Sequence, residues 1–306
     1  MEDGEELVEA VVSILIIFGL FGNANVVFAI ARNKELRTKS GCLVFVLSVS
    51  HLVCIFSEMI GLTLRLRFRP MSRRKCFEYN AAYVFCIMFQ SALFLAITVD
   101  LALSILCPIR HRLWNKYRYV ATLCLPPFIY ASVCCLVGFV FMNDEITPTC
   151  IPVTATLPEI YISISSVNVF CNLGTIFLTG TSIYIFMHRE RPRQSSRRSY
   201  STASNDSHEK NKIFRSTFYL MTVYIASWVL ACFLFEFFIS YYDAEVAARE
   251  YLPYLILIAM PTYCQTYFVT FARSPRYRRV YLRQLRSLTR GRHFPPRPDW
   301  KPAAAL

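Results

Sequence analysis

The chain has 306 residues, of which 55% are hydrophobic and 17% charged, and its formal net charge is +13. About a quarter of a soluble domain is charged, so a water-facing globular protein is excluded. A nucleic-acid partner is also excluded, because the basic residues recur in alternate loops rather than gathering in one patch.

Seven apolar runs follow one another: Leu7–Ala31, Gly41–Leu64, Tyr79–Leu106, Tyr119–Met142, Pro158–Met187, Ile213–Tyr241 and Tyr251–Ala272. About 20 apolar residues cross ~30 Å of hydrocarbon. In lipid the backbone must satisfy its own hydrogen bonds, so each run is expected to be an α-helix. The expected fold is all-α, a seven-transmembrane helix bundle. Residues 1–6 form a short N-terminus, 7–272 the bundle, 188–212 a flexible loop, and 273–306 an amphipathic eighth helix with a basic tail. The first run is too long for the apolar core of a signal peptide and lacks a basic flank, so it reads as the first span.

Charge sets the expected orientation. The segments Arg32–Lys39, Arg110–Arg118 and Arg189–Arg215, with everything from Arg273 onward, hold 26 of the 33 Lys and Arg. Basic loops stay cytoplasmic, so the acidic start (Glu2, Asp3, Glu5, Glu6) is expected outside and the tail inside. The basic group Arg65, Arg67, Arg69, Arg73, Arg74 and Lys75 falls outside against this rule. The sequon Asn205-Asp206-Ser207 lies in a Ser- and Arg-rich stretch on the cytoplasmic side, where it goes unused. Among twelve cysteines, only Cys76 and Cys150 fall at oxidising outer positions, and they are expected to be bonded. After the seventh run, Tyr277, Tyr281, Leu285 and Leu288 recur on one helical face and Arg276, Arg279, Arg283 and Arg286 on the other. That is the pattern of a helix lying on an anionic inner leaflet.

Short motifs carry a resemblance. Asp100-Leu101-Ala102-Leu103-Ser104-Ile105-Leu106-Cys107-Pro108-Ile109-Arg110 resembles the rhodopsin-like receptor stretch Asp-Arg-Tyr followed by Cys-x-Pro-Leu-Arg. Asp100 lies 24 positions after Cys76, as in that family. Gly22-Asn23, with Val26 following, resembles the family's first-helix signature. Leu47-Ser48-Val49-Ser50-His51 resembles its Leu-Ala-x-Ala-Asp, and Trp228 falls at its sixth-helix tryptophan. Arg273-Ser274-Pro275-Arg276-Tyr277-Arg278 matches the start of its cytoplasmic helix. There are departures: Leu101 replaces the Arg, no Pro follows Trp228, and Thr266-Tyr267-Phe268-Val269-Thr270 stands for Asn-Pro-x-x-Tyr. The ending Tyr263-Cys264-Gln265-Thr266-Tyr267-Phe268-Val269 followed by Arg273-Ser274 is similar to nematode serpentine chemoreceptors of class sx.

The resemblance implies a chemosensory receptor in the plasma membrane. It would bind an extracellular small molecule or peptide and activate a heterotrimeric G protein through Asp100, Leu101, Pro108 and Arg110. With Leu101 unable to pair Asp100, the expected partner is Arg110, Arg112 or Arg118. Ligand-lining candidates are Glu58, Tyr83, Val84, Ile87, Trp228, Cys232, Phe235, Glu236, Ile256 and Met260, a mostly apolar set with a few polar handles. Glu58 could meet a cationic ligand or pair with Arg65 or Arg67. Tyr83 stands where amine receptors keep an Asp, which disfavours a biogenic amine. No Lys lies in a run, which excludes a retinal Schiff base.

Buried polar positions form a second group. Asn23 is expected to bond the second or seventh helix. His51, Gln90, Thr262 and Thr266 are expected to cluster in the interior, either as plain hydrogen-bonded packing or as a proton-sensitive switch. None of them is a carboxylate, so no sodium site or other metal is expected, and no cofactor is implied. Two other classes remain open: a transporter or channel, disfavoured because no inverted repeat or charged path crosses the runs, and a ligand-less receptor-like partner protein, which Leu101 keeps in view. No nucleophile–base set suggests an enzyme.

Overall fold

The computed structural model describes residues 2–66, 70–147, 150, 155–195, 216–242 and 251–289. The helices are α1 (Glu2–Arg32), α2 (Lys39–Leu66), α3 (Arg73–Leu106), the short α4 (Pro108–Leu113), α5 (Lys116–Val140), α6 (Pro158–Ser195), α7 (Ser216–Tyr241), α8 (Leu252–Arg273) and α9 (Pro275–Thr289). A 3-10 turn, Lys34–Leu36, joins α1 to α2. Seven of them are long and apolar enough to cross a membrane: α1, α2, α3, α5, α6, α7 and α8. The chain is a seven-transmembrane bundle with a further C-terminal helix.

The helices reach past the apolar runs where the ends are stabilised locally. α3 starts six residues before its run because Arg73 pairs with Glu145 (2.9 Å) and Arg74 with Asp144 (2.8 Å). A short antiparallel strand pair, β1 (Met71–Ser72) with β2 (Ile146–Thr147), sits beside that start, with Met71 opposite Thr147. Asn115 caps α5, its side chain accepting from the amides of Tyr117 and Arg118. α6 continues to Ser195, into the segment read as a flexible loop. The rest of that loop, the sequon, Arg67, Arg69 and the tail beyond residue 289 lie outside the described residues.

α3 is the axis. In its apolar window 67% of residues are buried, against 22% in α5 and in α6, whose outer faces meet lipid. α3 packs against α2, α5 and α6, while α1 packs against α2 and α8. The central core joins Leu43 and Leu47 of α2, Leu93 and Phe94 of α3, and Met221 and Tyr224 of α7. The rings of Phe94 and Tyr224 stack with centroids 3.7 Å apart. Gly22 allows the closest approach of α1 to α8, since a Cβ there would sit 2.9 Å from Cβ of Tyr267. Two prolines interrupt α5 (Pro126, Pro127) and one interrupts α8 (Pro261). α7 has no proline, and its irregularity is a π-helical segment, Ile225–Val229.

α9 folds back under the bundle instead of resting its whole apolar face on lipid. Val280 and Tyr281 are fully buried against Val26, Ala29, Val44 and Tyr267. The Tyr281 hydroxyl lies 3.0 Å from Oγ1 of Thr270, and burial pushes its pKa up, so it stays a hydrogen-bonding phenol. Arg276, Arg279 and Arg286 are exposed.

Cys76, at the start of α3, is bonded to Cys150, with Cα atoms 5.4 Å apart. Asn80 Nδ2 lies 3.3 Å from the Cys150 sulfur. The bridge closes a long loop, the two cysteines being 74 positions apart, and closure of that length is worth roughly 4 kcal/mol in the chain-entropy account. Cys150→Ser is expected to lower surface expression several-fold, while Cys76 in the native protein resists alkylation. Normal surface levels of the variant, with Cys76 labelled in the wild type, would count against a structural role for the bridge.

Candidate functional site

At the disulfide end, α2, α3, α6, α7 and α8 enclose a cavity of about 180 Å³. Glu58, Tyr83, Val84, Ile87, Trp228, Cys232, Phe235, Glu236 and Ile256 all line it. Met260 does not. It is fully buried in packing with Val12, Ile16, Ile55 and Tyr263, because its α8 face turns toward α1 and α2. Cys150 and Thr156, from the connection between α5 and α6, complete the wall.

The polar groups gather at two places. On one side the Tyr83 hydroxyl donates to the Glu58 carboxylate, both residues being buried. On the other, the Glu236 carboxylate accepts from the Ser165 hydroxyl and from Tyr161 Oη at 3.3 Å. Tyr161 and Ser165 belong to α6, which the sequence reading left without a ligand-site candidate. A signal was present. Tyr161, Ser165, Asn168, Asn172, Thr175, Thr179 and Ser182 alternate steps of four and three, a single polar stripe on one helical face. That stripe faces the bundle. Asn168 Nδ2 reaches Sδ of Met88 (2.9 Å), and Asn172 Oδ1 accepts from Tyr224 Oη (2.7 Å). The lower hydroxyls of Thr179 and Ser182 are buried without a hydrogen-bond partner.

The interior polar residues do not form one cluster. Asn23 Nδ2 donates to the carbonyls of Gly19 (2.8 Å) and Tyr263 (2.6 Å), tying α1 to α8. His51 Nδ1 lies 3.4 Å from Thr266 Oγ1, and its ring meets Tyr263 edge-on at 5.5 Å. Gln90 turns instead to Ser50 Oγ (3.0 Å) and Cys54 Sγ (3.1 Å). Thr262 bonds Ser227 in the π segment of α7, with oxygens 2.5 Å apart. Four separate tethers stand in place of a single group, each joining a different pair of helices. Among the described residues, no group of three or more His, Cys, Asp or Glu could hold a metal ion.

At the opposite end, Asp100 has partners other than those expected. Its Oδ1 accepts from Tyr119 Oη at 2.8 Å and lies 2.8 Å from His111 Nε2. No ion pair from Arg110 or Arg118 to it is seen among the described residues. The turn of α4 and the cap of α5 bring His111 and Tyr119 within hydrogen-bond distance of it. Lys39 of α2 donates to the His111 carbonyl and stands over the Tyr119 ring at 5.0 Å. Tyr119 stacks on Trp114, with centroids 5.4 Å apart. The cluster therefore joins α2, α3, α4 and α5. Leu101 is buried, and its carbonyl accepts from Ser104 Oγ (2.7 Å). Pro108 opens α4 at its first position, and Arg110 is exposed.

The sequence profile of a serpentine-type seven-transmembrane chemoreceptor family of G-protein-coupled receptors, Srsx, matches residues 16–285. No curated protein matches the chain significantly.

Tyr119, the observed partner of Asp100, and Arg110, an expected one, give a direct test. Tyr119→Phe removes one hydrogen bond to a mostly buried carboxylate, so it is expected to lower stability by about 1–3 kcal/mol. Arg110→Ala touches nothing that Asp100 uses and is expected to be neutral. Thermal unfolding in detergent micelles reads both, and the reverse ranking would return the pairing to arginine.

Proposed function

The chain belongs to the Srsx family of serpentine seven-transmembrane chemoreceptors, and from that membership we propose a chemosensory G-protein-coupled receptor acting at the plasma membrane. Its N-terminus faces outside and its tail the cytoplasm, as the bias of 26 among 33 basic residues favours. It binds an extracellular small molecule and favours a state that engages a heterotrimeric G protein.

The observation that carries this reading is the position of Trp228. It lines the cavity and sits inside the π-helical segment of α7. Short π segments are rare, and they mark functional irregularities in helices. Here the segment stands where the resembling receptors have a proline, and both devices loosen the helical hydrogen-bond ladder. Trp228 touches Tyr263 of α8, with centroids 5.9 Å apart, and its neighbour Ser227 bonds Thr262. One turn away, Tyr224 connects α7 to α3 by stacking and to α6 by its hydroxyl. A ligand that prefers one setting of Trp228 biases the packing of α7 against three other helices. That differential affinity is what shifts a population.

At the cytoplasmic end, Leu101 cannot supply the usual arginine. G-protein contact then falls to Pro108, Arg110, the basic connection between α6 and α7, and the arginine face of α9. That face also suits an anionic inner leaflet.

A nucleotide-exchange assay on co-expressed G protein tests the reading, with a panel of small odorants and metabolites as agonists. Agonist-driven exchange is expected, and Trp228→Ala is expected to lower it about tenfold or more. Neutralising Arg276, Arg279, Arg283 and Arg286 together is expected to reduce exchange more than Leu101→Ala does, at equal surface expression. Ionic current or solute uptake without G protein would move the chain to the transporter class. Exchange lost in Leu101→Ala but intact in the neutralised helix would refute the coupling surface.

A further inference from the structure

The wall of the cavity is unbalanced in charge. Two carboxylates line it, Glu58 and Glu236, and no Lys, Arg or His does so among the described residues. Glu236 takes its hydrogen bonds from two neutral hydroxyls, Tyr161 and Ser165. Hydroxyls orient a carboxylate and partly replace its water, but they do not neutralise it, and a half-buried anion with no counter-charge among the described residues is costly.

Aromatic faces supply a second, independent observation. Tyr83, Tyr161, Trp228, Phe235 and Tyr263 line the same cavity. Ring faces carry negative quadrupole density and attract organic cations. The Tyr263 hydroxyl is buried at the cavity wall beside the Tyr83 hydroxyl and the Cys54 thiol. The remaining wall, including Val84, Ile87 and Ile256, is apolar.

Resting on the receptor reading above, we infer that this cavity takes an organic cation: an ammonium head at the Glu236 carboxylate and an apolar body between α3 and α8. The helix-three acid that amine receptors use is absent, since position 83 is Tyr, but α7 and α2 supply acid to the same cavity from other walls. The site disfavours carboxylates and phosphates, because none of its described lining residues is a cation. Primary and quaternary ammonium share this chemistry. The first donates to Glu236, and the second rests on the ring faces.

The test uses the purified full chain in detergent micelles and four probes: phenethylamine, phenethyltrimethylammonium, phenethyl alcohol and phenylpropanoate. Thermal unfolding is followed across probe concentrations into the millimolar range, since a ligand that binds only the folded state raises the midpoint. One or both cations are expected to stabilise the protein, and the alcohol and carboxylate are not. Glu236→Gln is expected to weaken cation binding about tenfold or more, with Glu236→Asp recovering part of it. The comparison of cation with alcohol on the wild type stands even if Glu236→Gln fails to fold. Equal stabilisation by the alcohol or the carboxylate, no stabilisation by any of the four, or unchanged cation affinity in Glu236→Gln overturns the proposal. The readout needs no G protein. Cation binding without nucleotide exchange would sink the signalling reading alone, and exchange driven only by neutral compounds would sink the cation site alone.

Discussion

Hydrocarbon offers no hydrogen-bond partner, and the arrangement of this bundle follows from that. Most polar side chains turned inward find a partner on another helix or on their own backbone. Each such bond fixes one helix against the next: Asn23 joins α1 to α8, Gln90 joins α3 to α2, Asn172 joins α6 to α7, and Ser227 joins α7 to α8. A bond of this kind is worth only about 0.6 kcal/mol on average in membrane bundles. Its contribution is placement more than strength. Close packing then acts on helices already in register, as at Gly22 against Tyr267.

The fold was largely legible, because a span is a property of length and composition that needs no knowledge of neighbours. The disulfide was legible for a similar reason, since compartment alone separated Cys76 and Cys150 from ten other cysteines. The cavity was legible in part. Positions borrowed by resemblance on the third, sixth and seventh helices fell into its wall, and Met260 failed because a seventh-helix residue can face either the cavity or α1. The α6 stripe was visible as a spacing but went unread, since no short motif marked that helix. The interior tethers were illegible in detail. Which of several neighbours a Gln or Thr selects depends on distances of a few ångströms between helices, and a single sequence does not record these. The same limit hid His111 and Tyr119 behind nearby arginines. Charge argues for a guanidinium, and only the turn after α3 shows which side chains arrive.

The end around Asp100 has consequences for how the helices are held together. Its cluster links α2, α3, α4 and α5 and leaves α7 out. α7 is held there by other means. The guanidinium of Arg273 lies 3.8 Å over the Tyr219 ring, and Thr98 Oγ1 reaches Met221 Sδ at 3.6 Å. A cation–π contact and a hydroxyl–sulfur contact are less directional than a hydrogen bond to a carboxylate. Among the described residues, the cluster pins four helices at this end, while α7 is held by these contacts and by the packing of Leu220 and Met221.

The five-residue turn Ile225–Val229 in α7 also acts as an angular offset. One residue of α-helix corresponds to about 100° of rotation. A π turn inserts one residue more than the helical repeat requires, so everything beyond it is turned by that amount relative to an uninterrupted helix. Phe235 and Glu236 lie beyond it and face the cavity with that offset included. Shortening the turn by one residue would swing the half-helix Leu230–Tyr241 and carry the carboxylate off the cavity wall toward a neighbour or the lipid. The chemistry of the cavity is thus set partly by a residue count one turn below it, at a place that contributes no charge of its own.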